Sequence, residues 1–174
     1  MRLRSMVVLA FLTALLFISA CVSEPEFDKS KFLELNQTAQ DIKAVLLSSN
    51  PCDLPDSLIQ RLSAGIAAVK DKAKSKKEHD LITAYSYLLT TCRDGLLLCH
   101  SQSQFANLNL IPKGRIYLSQ ELDPLVERYD LSTEKHVYRH TGQYMRSVDG
   151  NAINVIWDSA RTQIKNIENM LNYN

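Results

Sequence analysis

The sequence is poor in glycine and proline and has no apolar run long enough to cross a membrane. Five residues of each type occur among 174, too few for a linker-rich or low-complexity chain. The longest apolar run, residues 6–18, has thirteen positions and is interrupted only by Thr13. A membrane-spanning helix needs about 20 apolar residues. With 45% hydrophobic and 22% charged residues, the composition is that of a globular protein of one domain.

The sequence also lacks an excess of charge of either sign. It has 20 Lys and Arg against 19 Asp and Glu, a net charge of +1. Arg2 and Arg4 precede residue 21 and no acidic residue does, so a chain starting at Cys21 has 18 basic and 19 acidic residues, a net charge of −1. Such a body lacks the phosphate-neutralising surface needed for broad nucleic-acid binding. We therefore predict no nucleic-acid partner.

Basic residues are concentrated locally in one place, between residues 70 and 77. The five are Lys70, Lys72, Lys74, Lys76 and Lys77, interrupted by Asp71 and followed by Glu78 and Asp80. One interpretation is contact with anionic lipid headgroups. The other is a solvated helix end and turn, which the sequence favours because such charge runs are common on exposed helix ends.

The first twenty residues have the layout of a secretory signal peptide. Two arginines precede the apolar run, and the small residues Ser19 and Ala20 precede Cys21. The tetrapeptide Ile18-Ser19-Ala20-Cys21 resembles the lipobox of bacterial lipoproteins at every position. The resemblance implies a diacylglycerol on the Cys21 thiol, cleavage before Cys21 and acylation of the new amino group. The alternative is an ordinary signal peptide with a chance cysteine at its cleavage site.

The residue after Cys21 bears on the destination of such a lipoprotein. Lipoproteins of enteric-type bacteria that stay in the inner membrane carry Asp at this position, whereas this chain has Val22. The resemblance therefore implies lipid anchoring in the outer membrane, on the periplasmic face. Two or more acyl chains hold a protein to a bilayer stably. We expect residues 1–20 to be the signal peptide and residues 21–28 to form a lipidated tether.

Residues 29–174 are predicted to form a single, mainly α-helical periplasmic domain. Apolar residues recur every three or four positions in four segments, which indicates four amphipathic helices. Asp53 and Pro55 suit the start of the second helix, as an Asp cap and an early proline. The four stripes run Phe32, Leu35, Ala39, Ile42, Leu46; Leu58, Leu62, Ile66, Val69, Ala73; Leu81, Tyr85, Leu88, Cys92, Leu96, Cys99; and Ile153, Ile156, Trp157, Ala160, Ile164, Ile167, Leu171.

Residues 104–148 are less regular. Asp123-Pro124 predicts a short helix through Tyr129, and "VYRHTGQYMRSV" predicts a small hairpin turning at Thr141-Gly142. Asp94-Gly95 weakens the third helix, since Gly costs about 1 kcal/mol relative to Ala. We expect a compact bundle of four or five helices with a small β-hairpin.

Three cysteines remain in the body of the chain: Cys52, Cys92 and Cys99. The last two are seven residues apart, which is about 10 Å along an unbroken helix and beyond the ~7 Å that a disulfide allows between Cα atoms. If the second and third helices are antiparallel about a turn near Lys76-Lys77, Cys52 lies opposite a residue near 101. We predict a Cys52–Cys99 disulfide, with Cys52–Cys92 or three free thiols as alternatives.

No motif in the sequence points to catalysis or to a metal. It has no paired C-x-x-C unit, no G-x-S-x-G elbow and no phosphate-binding glycine loop. His136 and His140 would share a face of a helix, but on a strand they lie about 13 Å apart, too far for one ion. The Val and Tyr content favours a strand, so we predict two surface histidines. We expect no metal, no cofactor and no catalytic residue, and Glu121 with Asp123 fits helix-start electrostatics.

These observations favour a membrane-anchored lipoprotein that acts without catalysis as a binding, assembly or scaffold factor in the bacterial cell envelope, through an envelope protein partner. The layout resembles that of pilotins, small helical lipoproteins that deliver secretion-channel subunits. The resemblance implies a hydrophobic groove between helices. The alternatives are an envelope enzyme acting on peptidoglycan and a surface lipoprotein involved in exclusion or host contact. Trp157 is predicted to anchor the core, a partner-binding aromatic patch being the alternative.

Overall fold

A computed structural model of the chain describes residues 25–48, 50–105, 113–137 and 142–172. These residues form a mainly α-helical fold with a small antiparallel sheet, which confirms the predicted fold class. The signal peptide, the lipobox with Cys21 and His140 lie outside the described residues. The elements are α1 Leu33–Leu46, α2 Asp56–Lys70, α3 Lys76–Phe105, β1 Arg115–Tyr117, α4 Asp123–Arg128, β2 Thr133–Val137, β3 Tyr144–Asp149 and α5 Ala152–Asn172.

Helices α3 and α5 form the centre of the bundle. Two contacts show that they run antiparallel. Trp157 of α5 lies beside Gly95 of α3. Further along α5, Gln163 Nε2 donates to Thr91 Oγ1, one turn earlier on α3, at 2.9 Å. All seven residues of the predicted α5 stripe are buried, and Trp157 is 0% exposed. Its role as a core anchor is confirmed, and the alternative of an exposed aromatic patch is wrong.

Helix α3 continues without a break through Asp94-Gly95. A Cβ atom at Gly95 would overlap the indole ring of Trp157, so glycine is needed here for close helix packing. The carboxylate of Asp94 accepts hydrogen bonds from Arg128 Nη1 and from the Tyr129 hydroxyl, the latter at 2.8 Å. These bonds fix the short helix α4 against α3, since both donors lie at its C-terminal end.

The start of α2 differs from the prediction. Asp53 does not cap the helix; it lies in a 3₁₀ turn, Pro51–Asp53, and α2 begins after Pro55 without a side-chain cap. The reason is that a residue before proline is disfavoured in the helical region. Leu54 accordingly has ψ 116°, which keeps it out of the helix. At its other end α2 stops at Lys70, so Ala73 lies beyond it.

The sheet has the strand order β1-β3-β2, with both pairs antiparallel. The predicted hairpin is present as β2 and β3; of its predicted turn, Thr141 lies outside the described residues and Gly142 has φ +70°. Strand β1 was not predicted. Ile116 of β1 pairs with Val148 of β3, and both are fully buried, so one face of the sheet closes the core.

The bundle has two chemically different ends. At one end, which we name the lysine end, lie the start of α1, the turn from α2 to α3 with Lys70, Lys72, Lys74, Lys76 and Lys77, and the end of α5. Lys31 Nζ donates to the Lys72 carbonyl at 3.2 Å, and Lys29 Nζ donates to Asn172 Oδ1 at 3.3 Å. The other end carries the start of α2 and the second half of α3. No helix of the described part is long and apolar enough to span a membrane.

Candidate functional site: a cleft beside the disulfide

A disulfide joins Cys52, in the turn before α2, to Cys99 of α3. The two Cα atoms are 5.7 Å apart, and 47 positions separate the residues in sequence. This is the pairing that counting from the α2–α3 turn favours. Cys92 is a buried free thiol, and burial raises its pKa to about 12. Cys92 takes no part in the bridge and lies two helical turns from Cys99 on α3.

An open cleft of about 870 Å³ lies beside this disulfide. One wall is the 3₁₀ turn with the start of α2, and the other is α3 from Leu96 onwards. The bridge holds these two walls together, because Cys52 belongs to the first and Cys99 to the second. The cleft is lined by Asn50, Cys52, Asp53, Leu54, Asp56, Leu96, Cys99, His100, Gln102 and Ser103.

Six of the ten residues that line this cleft are polar or charged, although more of its exposed lining surface is apolar than polar. The cleft therefore shares only part of the character of the hydrophobic groove that the resemblance to pilotins implies. Leu54, Leu96 and the disulfide supply its apolar surface. Asp53 and Asp56 are exposed carboxylates, and none of the ten lining residues is Lys or Arg. His100 is exposed on the opposite wall. The cleft is therefore negatively charged at neutral pH and suited to a segment that brings basic side chains.

A second polar cluster lies on the sheet, on the face opposite the core. The register pairs Glu134 of β2 with Ser147 of β3, and Ser147 also pairs with Tyr117 of β1. His136 Nε2 lies 2.8 Å from Ser147 Oγ, and Arg115 Nε donates to the same oxygen at 2.7 Å. Arg115 Nη1 also lies 2.9 Å from Glu134 Oε1. His136 lies on a strand, as predicted, and its side chain is partly covered, at 19% exposure.

This cluster does not have the geometry of a nucleophilic site. Ser147 is 0% exposed, so a substrate carbonyl has no approach to its oxygen. Glu134 Oε2 lies 3.9 Å from Nε2 of His136, the ring nitrogen that also faces Ser147. A triad needs the carboxylate on the other ring nitrogen, so that the first can accept the serine proton. The cluster is better explained as the polar support that binds β1 and β2 to β3.

Glu78 is the third polar centre, and it links the N-terminal segment to the start of α3. It is 0% exposed. Its carboxylate accepts hydrogen bonds from Lys31 Nζ at 2.7 Å and from the N–H of Asp28 at 3.2 Å. It also accepts from the N–H of Lys74 at 2.6 Å and from that of Ser75 at 3.2 Å, while Ser75 Oγ accepts from the Glu78 N–H.

These bonds keep the buried carboxylate ionised. Burial acts to raise the pKa of Glu78, but the hydrogen bonds from Lys31, Lys74, Ser75 and Asp28 outweigh it and lower the pKa from 4.5 to about 2. The sequence carries a signal for part of this arrangement. Ser75-x-x-Glu78 is the pattern of a capping box, which the surrounding lysines make inconspicuous in the sequence.

Phe27 extends the same attachment. Its ring packs against Phe32, with centroids 6.1 Å apart, and Lys77 Nζ lies 4.2 Å from the Phe27 centroid. The last two residues of the predicted tether, Phe27 and Asp28, are thus bound to the domain at the lysine end.

Among the described residues, no group of three or more His, Cys, Asp and Glu side chains is placed to hold a metal ion. Glu121 is exposed in a 3₁₀ turn, whereas Asp123 Oδ1 accepts a hydrogen bond from Arg146 Nη1 at 2.6 Å. Comparison of the chain with protein-family models, with curated proteins and with solved structures gave no match.

Proposed function

We propose that the chain is a lipid-anchored protein of the bacterial cell envelope that binds a partner protein without catalysing a reaction. In this proposal the acyl chains on Cys21 hold it to the periplasmic face of the outer membrane, and the domain presents the cleft beside the disulfide to its partner. The single observation that carries the proposal is the complete lipobox, Ile18-Ser19-Ala20-Cys21, followed eight positions later by the first helical turn of the domain, at Lys29.

The side-chain arrangement supports a binding role over an enzymatic one. The described pairs of chemically versatile groups serve structural purposes: Ser147 is buried against Arg115 and His136, and Glu78 is committed to the start of α3. Among the residues that line the cleft, the one hydroxyl group is that of Ser103, and it donates a hydrogen bond to the His100 carbonyl at 2.9 Å, while Asp53 and Asp56 are exposed. An active site needs such groups to converge on one reacting atom.

The cleft supports a partner segment of defined chemistry. Its volume of about 870 Å³ is enough for several side chains of an extended segment. Asp53 and Asp56 favour Lys or Arg, while Leu54 and Leu96 offer apolar contact at the base. We therefore expect the partner to insert a short basic segment with at least one apolar side chain.

Short-range cross-linking in intact envelopes, followed by purification of the acylated protein, tests this proposal. The Asp53→Lys/Asp56→Lys double variant reverses the charge of the cleft at two exposed positions and should lose a cross-linked partner that the unaltered protein retains. Glu121→Lys/Glu127→Lys, at two exposed positions that do not line the cleft, changes the net charge by the same amount; it is the matched control and should retain that partner.

Two results would count against the proposal. Equal retention of the partner by the double variant and the control would remove the cleft from the account. Hydrolysis of peptidoglycan by the purified protein would favour the enzymatic alternative over a binding role.

A further inference from the structure

The lysine end of the bundle surrounds the point where the predicted tether meets the domain. Glu78 accepts hydrogen bonds from the Asp28 N–H and from the Lys74 N–H at its two carboxylate oxygens, so these two backbone segments lie on either side of one side chain. Lys77 lies against the Phe27 ring, and Lys31 reaches the Lys72 carbonyl. The chain therefore leaves the domain towards Cys21 from among its lysines.

The length of the tether limits how far this end can be from the bilayer. Phe27 is six positions after Cys21, and a fully extended chain spans at most about 20 Å over six positions. An acyl chain on Cys21 must lie in the membrane, so Phe27, where the tether meets the lysine end, is always within this distance of the headgroups. The limit depends on chain length alone.

The charge of this end suits an anionic surface. Lys70, Lys72 and Lys74 are exposed. Among residues 70–80, Asp71 and Asp80 are exposed, whereas Glu78 is buried and held by Lys31 and three backbone N–H groups. Five lysines therefore stand against two exposed carboxylates in this stretch. The attraction of lysines to anionic headgroups acts within about 10 Å at 0.1 M salt, a distance that the short tether brings within reach.

We propose that the lysine end is a docking surface for the anionic headgroups of the bilayer that holds the anchor, and that this contact fixes the orientation of the domain on the membrane. The inference rests on the acylation of Cys21 included in the proposed function. It assigns the stretch from Lys70 to Lys77 a role in binding phospholipid, the interpretation that sequence alone made the less favoured one.

The orientation has a consequence for the cleft. Cys99 lies 23 residues along α3 from Lys76, which corresponds to about 35 Å at 1.5 Å per residue. With the lysine end on the headgroups, α3 points away from the membrane and carries the disulfide and its cleft outwards. A partner that is not itself in the membrane can then reach Asp53 and His100 directly.

Lysine acetylation of the acylated full-length mature protein, reconstituted in vesicles, tests this inference. The vesicles contain phosphatidylcholine alone, or phosphatidylcholine with phosphatidylglycerol. Acetylation of Lys70, Lys72 and Lys74, read by mass spectrometry relative to Lys113 and Lys135, should be roughly fivefold slower on the anionic vesicles. Raising the salt from about 0.1 M to about 1 M should abolish that difference, since screening shortens the interaction to about 3 Å.

A charge-matched pair of variants distinguishes binding through the lysine end from an effect of the net charge of the protein. Lys70→Gln/Lys72→Gln should reduce the protection of Lys74 on anionic vesicles, whereas Arg93→Gln/Lys135→Gln, two exposed positions away from the lysine end, should leave it unchanged, with Lys113 as the reference in both variants. Equal acetylation on both vesicle types, or protection that persists at about 1 M salt, would overturn the inference while leaving the anchor in place. A mature protein without acyl chains on Cys21 would overturn the anchor and the inference together.

Discussion

Gly95 of α3 lies directly against the indole ring of Trp157 of α5, without room for a Cβ atom between the backbone and the ring. The glycine that weakens α3 by propensity is thus the residue that lets the two central helices approach. Because Trp157 is fully buried, the ring has no exposed position into which it can turn.

Gly95→Ala should destabilise the protein although alanine is the better helix former. Propensity favours the variant by about 1 kcal/mol, but overpacking a well-filled core costs roughly 1–3 kcal/mol, and here the added atom meets a rigid ring. We expect a net loss in the free energy of unfolding, measured by denaturant titration.

Two variants make this test specific. Gly65→Ala adds a Cβ against Leu35 Cδ2, the end of a flexible side chain, at 2.8 Å, and should cost less. Trp157→Ala alone should cost roughly 3–5 kcal/mol, and adding Gly95→Ala to it should cost nothing further. If Gly95→Ala lowered the free energy of unfolding as much in the Trp157→Ala protein as in the unaltered one, the contact between Gly95 and the indole ring would be contradicted.

Glu78→Gln should lower stability at neutral pH and flatten the acid limb of the stability profile. The folded pKa of Glu78 is about 2 against an ordinary 4.5, so its contribution is fully present above pH 4.5 and is lost as the pH falls through about 2. Removing one partner of a buried, hydrogen-bonded charge costs roughly 3 kcal/mol.

Unfolding midpoints between neutral pH and pH 2 test this expectation. Glu168→Gln is the control, because its ion pair with Lys43 is partly exposed, at 27% and 36%, and such pairs contribute about 0–1 kcal/mol. Equal effects of the two substitutions, or an unchanged acid limb in Glu78→Gln, would contradict the role of Glu78.

Cys92 should resist thiol reagents in the folded protein. Burial excludes the reagent and raises the pKa of this thiol to about 12, whereas the reactive species is the thiolate. With the disulfide intact, iodoacetamide should label Cys92 only in denaturant, at a rate that follows unfolding. Equally fast labelling in buffer and in urea would place the thiol on the surface.

Removal of the Cys52–Cys99 disulfide should destabilise the protein by roughly 4 kcal/mol in the chain-entropy model. The comparison is between Cys52→Ala/Cys99→Ala and the unaltered protein, with Cys92→Ala as a control for the loss of a sulfur atom that closes no loop. Peptide mapping without reduction should yield a peptide pair joining residues 52 and 99. A pair joining residues 52 and 92, or three free thiols, would contradict the bridge.

The parts of the fold that follow from local periodicity could be predicted from the sequence. The α5 stripe from Ile153 to Leu171 is buried throughout, because spacing of three and four residues on a helix defines one face. Strand β1 could not be predicted, since three residues are too few to show alternation. It is fixed by pairing with β3, a partner more than thirty residues away.

The same distinction applies to the candidate sites. Counting equal numbers of residues in both directions from the α2–α3 turn places Cys52 opposite the end of α3, because the rise per residue is the same in two antiparallel helices. The contacts of His136 with Ser147 and of Glu78 with Asp28 depend instead on sheet register and on how a distant segment packs. No spacing in the sequence encodes these contacts, although the capping-box pattern predicts the local half of the Glu78 arrangement.

Acylation of Cys21 is the premise on which the membrane location, the tether length and the lipid-facing lysine end all depend. Mass spectrometry of the N-terminal peptide from membranes of the expressing bacterium measures it directly. We expect a mature chain that begins at Cys21 and carries a diacylglycerol on the thiol, and a Cys21→Ser variant that neither incorporates labelled fatty acid nor stays with the membrane fraction. An unmodified Cys21, or a Cys21→Ser variant that still labels and remains in the membrane, would contradict it.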